Sequence, residues 1–172
     1  SAAASFVLNT NRRPTGVIAP AGDPHDVIVD LPPGFAGNPT VTPRCPNRVP
    51  FEEGVECTAA SRVGEAFVNE PVNPRSFVTS AVPPTGWAAQ FSFTYLSTAR
   101  INLAAYLRSD EDFGISILAP NIAQEAVPVF KTTTILYGKP AGAEGKAFLT
   151  NPSDCAGNAQ TPPVTMLSVD AW

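Results

Sequence analysis

The sequence predicts an all-β fold, an antiparallel two-sheet β-sandwich with Pro/Gly-rich loops and at most one short helix. The first observation is a period of two. Over residues 86–95 the odd positions are Trp87, Ala89, Phe91, Phe93 and Tyr95, and the even ones are Ala88, Gln90, Ser92 and Thr94, the alternation of a strand with one face in a core. Residues 100–108 repeat it, with Ile101, Leu103, Ala105 and Leu107 against Arg100, Asn102, Ala104, Tyr106 and Arg108. The second is punctuation: 19 prolines and 12 glycines in 172 residues, a composition of short strands and stiff turns in which long helices would be broken. The third is the balance of 44% apolar and 15% charged residues, fewer charges than usual for a soluble domain. Eight or nine strands at about ten-residue spacing suit two stacked sheets; a barrel is the alternative closure.

In chain order, residues 1–9 place Ala2, Ala4, Phe6 and Leu8 on one face, a terminal strand or an extended tail seeking a groove. Residues 11–24 have turn or linker composition, so the chain divides into a tail and linker over 1–24 and a sandwich domain over 25–172. Residues 25–45 organise the rest. Val27, Val29 and Leu31 alternate with Ile28 and Asp30, and Pro32-Pro33-Gly34 ends the strand in a stiff turn. Short strands follow at 62–68 and 75–79, then the two alternating segments above. The acidic turn at 109–112 leads into a strand at 113–118, completing a meander. Residues 119–126 hold Pro120 at a first helical turn and are the one candidate helix. A Thr-rich strand at 129–137, a glycine-rich loop at 141–146, an Asn151-Pro152 turn and a last strand at 164–171 close the chain at Trp172.

A net charge of −4 and no basic cluster argue against a nucleic-acid partner. No run of 18 apolar residues is present, so no helical membrane span is expected. The Ser-Ala-Ala-Ala start fits the remainder of a cleaved secretory leader and equally a cloned fragment.

The chemistry-bearing residues are sparse. His25 is the single histidine, flanked by Asp23 and Asp26, and reads as a solvated turn residue rather than a catalytic base. No nucleophile elbow, paired-histidine metal motif or phosphate loop occurs, so no catalytic residue, metal ligand or cofactor is assigned. Asp110, Glu111 and Asp112 cluster as calcium ligands do, but not at the spacing of a calcium loop, and read as a solvated turn. Glu52, Glu53, Glu65, Asp110 and Asp112 are candidates for glycoside chemistry in name only, since their spacing does not give the separation of two acids across a cleft. Trp87 and Phe91 read as core, leaving Tyr106 as the exposed aromatic for a sugar platform. Cys45 and Cys57 flank a polar loop whose closure as a disulfide would stabilise by about 3 kcal/mol; two buried thiols are the other reading. Cys155 is left over.

The run VDLPPGFAGNPTVTPRC, followed in order by CTAASRVG, RSDEDFGISILAPNIAQ, ILYGKPAG, FLTNPSDCAG and SVDAW, resembles a module found, often in tandem, in large secreted bacterial surface proteins of unassigned function. The resemblance spans nearly the whole chain and implies an extracellular β-rich module, with no catalytic residues to carry over. In that module the cysteine matching Cys155 has a partner between the YGKPAG-like and FLT-like pieces. Here AGAEGKA has no cysteine, which leaves Cys155 free, paired with Cys45 or Cys57, or available to a neighbouring chain. The expected function is a non-catalytic cell-surface or filamentous building block. Residues 1–9 would insert beside an edge of the next copy with Phe6 and Leu8 as contacts, giving a head-to-tail homopolymer, or the ends would meet neighbouring modules. A monomeric carbohydrate-binding or adhesive module is the alternative.

Overall fold

The computed structural model describes residues 1–46, 57–69, 75–95, 99–109, 112–123, 129–152 and 164–172. Its strands are β1 (Ala2–Val7), β2 (Thr10–Arg12), β3 (Ile18–Pro20), β4 (Pro24–Asp30), β5 (Ala36–Gly37), β6 (Arg62–Val68), β7 (Ser76–Ala81), β8 (Ala89–Tyr95), β9 (Ala99–Leu107), β10 (Ile115–Ala119), β11 (Lys131–Leu136), β12 (Leu149–Thr150) and β13 (Met166–Ala171).

The all-β class and the antiparallel meander hold, but the two stacked sheets do not form among the described residues. One nine-stranded sheet, in the order β1-β11-β6-β7-β8-β9-β10-β4-β13, curls into a half-barrel. The physical reason is that a twisted sheet of this width can bury its apolar face against itself. Two small sheets, β5–β12 and β2–β3, lie outside the ladder.

The inner face carries the core. Phe91, Phe93, Tyr95, Leu103, Val27 and Leu136 are buried there in one cluster, and Phe148 packs edge-on against Phe91 with ring centroids 5.7 Å apart. The predicted polar face of β8 is not solvated: Gln90 and Ser92 are buried too. Gln90 Nε2 donates to Asn102 Oδ1 at 3.2 Å, and Arg100 Nη2 donates to Ser92 Oγ at 2.9 Å. These bonds satisfy groups that alternation alone assigns to water. Leu107, expected inside, is 65% exposed at the end of β9.

The predicted disulfide joins Cys45 and Cys57, with Cα atoms 5.4 Å apart. Cys45 sits beside the end of β7, its N–H donating to Ser80 O at 2.8 Å and its C=O accepting from Val82 N at 3.1 Å. No helix starts at Pro120: residues 120–123 are irregular and Asn121 takes φ 52°, held by its N–H donating to Asp26 Oδ1 at 2.7 Å. The rest of that segment lies outside the described residues. The helical turns are instead short 3-10 pieces at Ala59–Ser61 and Ala141–Ala143. They touch so closely that a Cβ on Gly142 would stand 1.8 Å from Ala60 O, which requires glycine at that position. No helix among the described residues is long and apolar enough to cross a membrane.

Candidate functional site

The curl leaves a hollow toward each end of the inner face. At the capped end, Phe148 from the segment around β12 packs edge-on against Phe91, and with Phe35, Leu149, Ala105 and Ile115 they line a hollow of about 360 Å³. At the other end a cleft of about 410 Å³ remains. Its walls include Val27, Phe93, Tyr95, Ile101 and Ile117, and its lips are the two sheet edges, Ala2, Ala4 and Phe6 of β1 and Leu167 of β13. Small side chains on β1 and threonines on β11 (Thr132, Thr134) leave the volume unfilled. Among the described residues that line it none is charged, so it suits apolar matter.

Both lips are edge strands. Among the described residues, β1 pairs only with β11, from Ala2↔Leu136 to Val7↔Lys131, and β13 only with β4. Along β1 burial alternates strictly, with Ala2, Ala4 and Phe6 half-buried and Ala3, Ser5 and Val7 exposed, so the structure puts Phe6 on the cleft face and leaves Val7 68% exposed. Leu8, half-buried, continues the line, its N–H donating to Phe130 O at 2.8 Å. β13 is largely exposed, with Met166 61% exposed, while Val169 is half-buried against the core. β1 carries no charged residue, and such an edge is a template for another strand.

The chemistry-bearing residues are used structurally. His25 is a strand residue of β4, not a solvated turn: its Nδ1 lies 3.1 Å from Asp26 Oδ2 and its ring packs edge-on to Trp172 at 4.2 Å. Trp172 is fastened in turn, its Nε1 donating to Ile122 O at 3.0 Å and its N–H to Asp23 O at 3.1 Å, which anchors β13. Arg108 ties the β9–β10 turn to the end of β4. It donates through Nε to Asp112 Oδ1 at 3.0 Å, through Nη2 to Asp112 Oδ2 at 2.6 Å and to Leu31 O at 2.9 Å. That guanidinium, followed by the Gly114 N–H, holds the Asp112 carboxyl below its ordinary range. A Cβ on Gly114 would stand 1.8 Å from Arg108 Nη2, so the RSDEDFG piece reads as a clamp. Glu65 accepts from Arg75 Nη1 at 2.9 Å. Glu52, Glu53, Asp110, Glu111 and Cys155 lie outside the described residues.

Tyr106 is half-buried, its phenol pKa raised first by burial and then by Asp26 and Asp30. Trp87 precedes β8 in a turn and is half-buried rather than core. With Gln90, Arg100, Asn102 and Asn121 it lines a separate hollow of about 390 Å³. Sequence reasoning missed Asn69. It is buried with φ 55°, and its Oδ1 accepts from Phe130 N at 3.0 Å and Lys131 N at 3.2 Å while Nδ2 donates to Tyr95 OH at 3.4 Å. An asparagine after a strand was the only signal.

Comparison of the chain with protein-family models, with curated proteins and with solved structures returns no match.

Proposed function

We propose that the chain is a non-catalytic extracellular structural module that joins copies of itself, or neighbouring modules, through its terminal strand, with Phe6 and Leu8 as contact side chains. The observation that carries this reading is the pair of sheet edges flanking an apolar cleft, β1 without a charged residue and β13 with Asp170 alone. The Cys45–Cys57 bridge suits an oxidising compartment, and the residues that stand out in the motif pieces, Arg108, Gly114, Gly142 and Trp172, serve packing. Strand addition draws affinity from main-chain hydrogen bonds and specificity from alternate side chains, and β1 supplies both.

Deletion of residues 1–9 tests it. The truncated chain, checked for its disulfide and β circular dichroism, should sediment as a monomer, while the full chain forms assemblies visible by electron microscopy. Assemblies that persist unchanged after the deletion would remove residues 1–9 from the contact.

A second reading, carbohydrate binding by a monomer, draws on the hollow beside Trp87, which sets an indole near the amides of Gln90, Asn102 and Asn121. Retention on a glycan array that is lost in Trp87→Ala and kept in Phe6→Ala would favour it over assembly.

A further inference from the structure

The direction of the two lips decides how copies can join. Every pairing in the nine-stranded sheet is antiparallel, and an odd number of alternating strands leaves the first and last, β1 and β13, running the same way. Joining β1 of one copy to β13 of the next with both inner faces on the same side therefore makes a parallel pair. Antiparallel joining with the faces matched is possible only between like edges, related by a two-fold axis perpendicular to the sheet.

β1 is built for that operation. Because the Leu8 N–H donates to Phe130 O, the alternation of an antiparallel ladder turns the N–H and C=O of Ala2, Ala4 and Phe6 toward β11, and those of Ala3, Ser5 and Val7 out to the free edge. The strand is also divided by size. Its first half is Ala2-Ala3-Ala4, and Phe6-Val7-Leu8 follows Ser5. A parallel in-register pair would set alanine on alanine and Phe6 on Phe6. An antiparallel two-fold sets the small half against the large one.

We infer that β1 is a self-pairing edge: two copies of the chain join their β1 strands antiparallel about a two-fold at Ala4 or Ser5, and Phe6 of each packs over an alanine of the other. A two-fold at Ala4 sets Phe6 opposite Ala2; one at Ser5 sets Phe6 opposite Ala4 and Leu8 opposite Ala2. Both place the phenyl ring at the mouth of the cleft that the alanines leave open, and the apolar inner faces become continuous. The inference rests on the proposed assembly through residues 1–9 and replaces head-to-tail joining with a two-fold contact. The same parity makes β13 the edge for a second two-fold, by which a fibre would extend.

Single cysteines at Ala4, Ser5 and Ala2, each in a Cys155→Ser background of the full chain, test the geometry under mild oxidation. Residues facing themselves across a two-fold antiparallel pair have Cα atoms about 4.5–5.5 Å apart, within the span of about 4.4–6.8 Å that a disulfide bridges. Ala4→Cys or Ser5→Cys should give a covalent dimer, and Ala2→Cys none. Phe6→Ala should weaken self-association by about tenfold or more in sedimentation with unchanged circular dichroism. A chain that assembles but cross-links at neither 4 nor 5, or equally at all three sites, overturns two-fold pairing of β1. A full chain that stays monomeric at every concentration overturns the assembly reading as well.

Discussion

The two ends of the half-barrel share one inner face and differ in what lies over it. At the capped end the segments around β5 and β12 fold back, so that Phe148, 3% exposed, closes on Phe91, while Arg108 locks the adjoining turn onto Leu31. At the lipped end nothing among the described residues does the same, and β1 and β11 line the cleft with alanines and threonines rather than with large apolar side chains that would fill it. The difference separates residues that hold the fold from residues left available to a second molecule. Stability should concentrate at the capped end and association at the lipped one.

Substitutions at the two ends sharpen that contrast. The largest effect on folding is expected for Phe148→Ala, about 3–5 kcal/mol from lost burial and a residual cavity, read as a lowered denaturation midpoint. Phe6→Ala, at a half-buried lip position, should cost the fold about 1 kcal/mol while acting mainly on association. Equal folding costs at the two positions would erase the distinction. Asn69→Ala is intermediate: it leaves the Phe130 and Lys131 N–H groups without their acceptor and a residue other than Asn or Gly at positive φ, so about 2 kcal/mol is expected in urea unfolding.

The smallest effect concerns pH. The Asp112 carboxyl has a folded pKa below its unfolded value, through Arg108 and then the Gly114 N–H. The clamp's contribution is therefore full above the ordinary carboxylate pKa of about 3.9 and is lost as pH falls through the depressed folded value. The protection of the Gly114 amide, taken relative to the intrinsic exchange rate at each pH, should hold down to about pH 4 and be lost only below it. Protection already lost on acidification well above about pH 4 would mean that the Asp112 clamp is not what holds the turn.

Much of the strand layout was legible, for a definite reason. The alternations over 86–95 and 100–108 became β8 and β9 because side chains on a pleated strand must take opposite faces, and Pro32-Pro33 ended β4 where it removed donors. The Cys45–Cys57 bridge followed from a short polar loop between two thiols. Alternation failed where a neighbouring strand supplied polar partners: Gln90 and Ser92 read as solvent-facing and are buried with hydrogen bonds to Asn102 and Arg100 of β9. Pro120 read as a helix start, yet Asp26, 95 positions away, captures the Asn121 N–H and fixes an irregular turn. His25 read as a turn residue, and Trp172 draws its ring into a strand-end contact.

What the sequence alone determined is local: which residues are extended, where the chain turns, and which face of each strand is apolar, since these depend on neighbours two or three positions away. The tertiary structure decided the rest. That one sheet curls instead of two stacking, that β1 and β13 end as parallel lips, and that alanines at one edge leave a cleft all depend on pairings between distant segments such as Ala2 with Leu136 and Val29 with Leu167. Such pairings are selected by the summed burial of the whole sheet, a quantity that no single stretch of sequence carries.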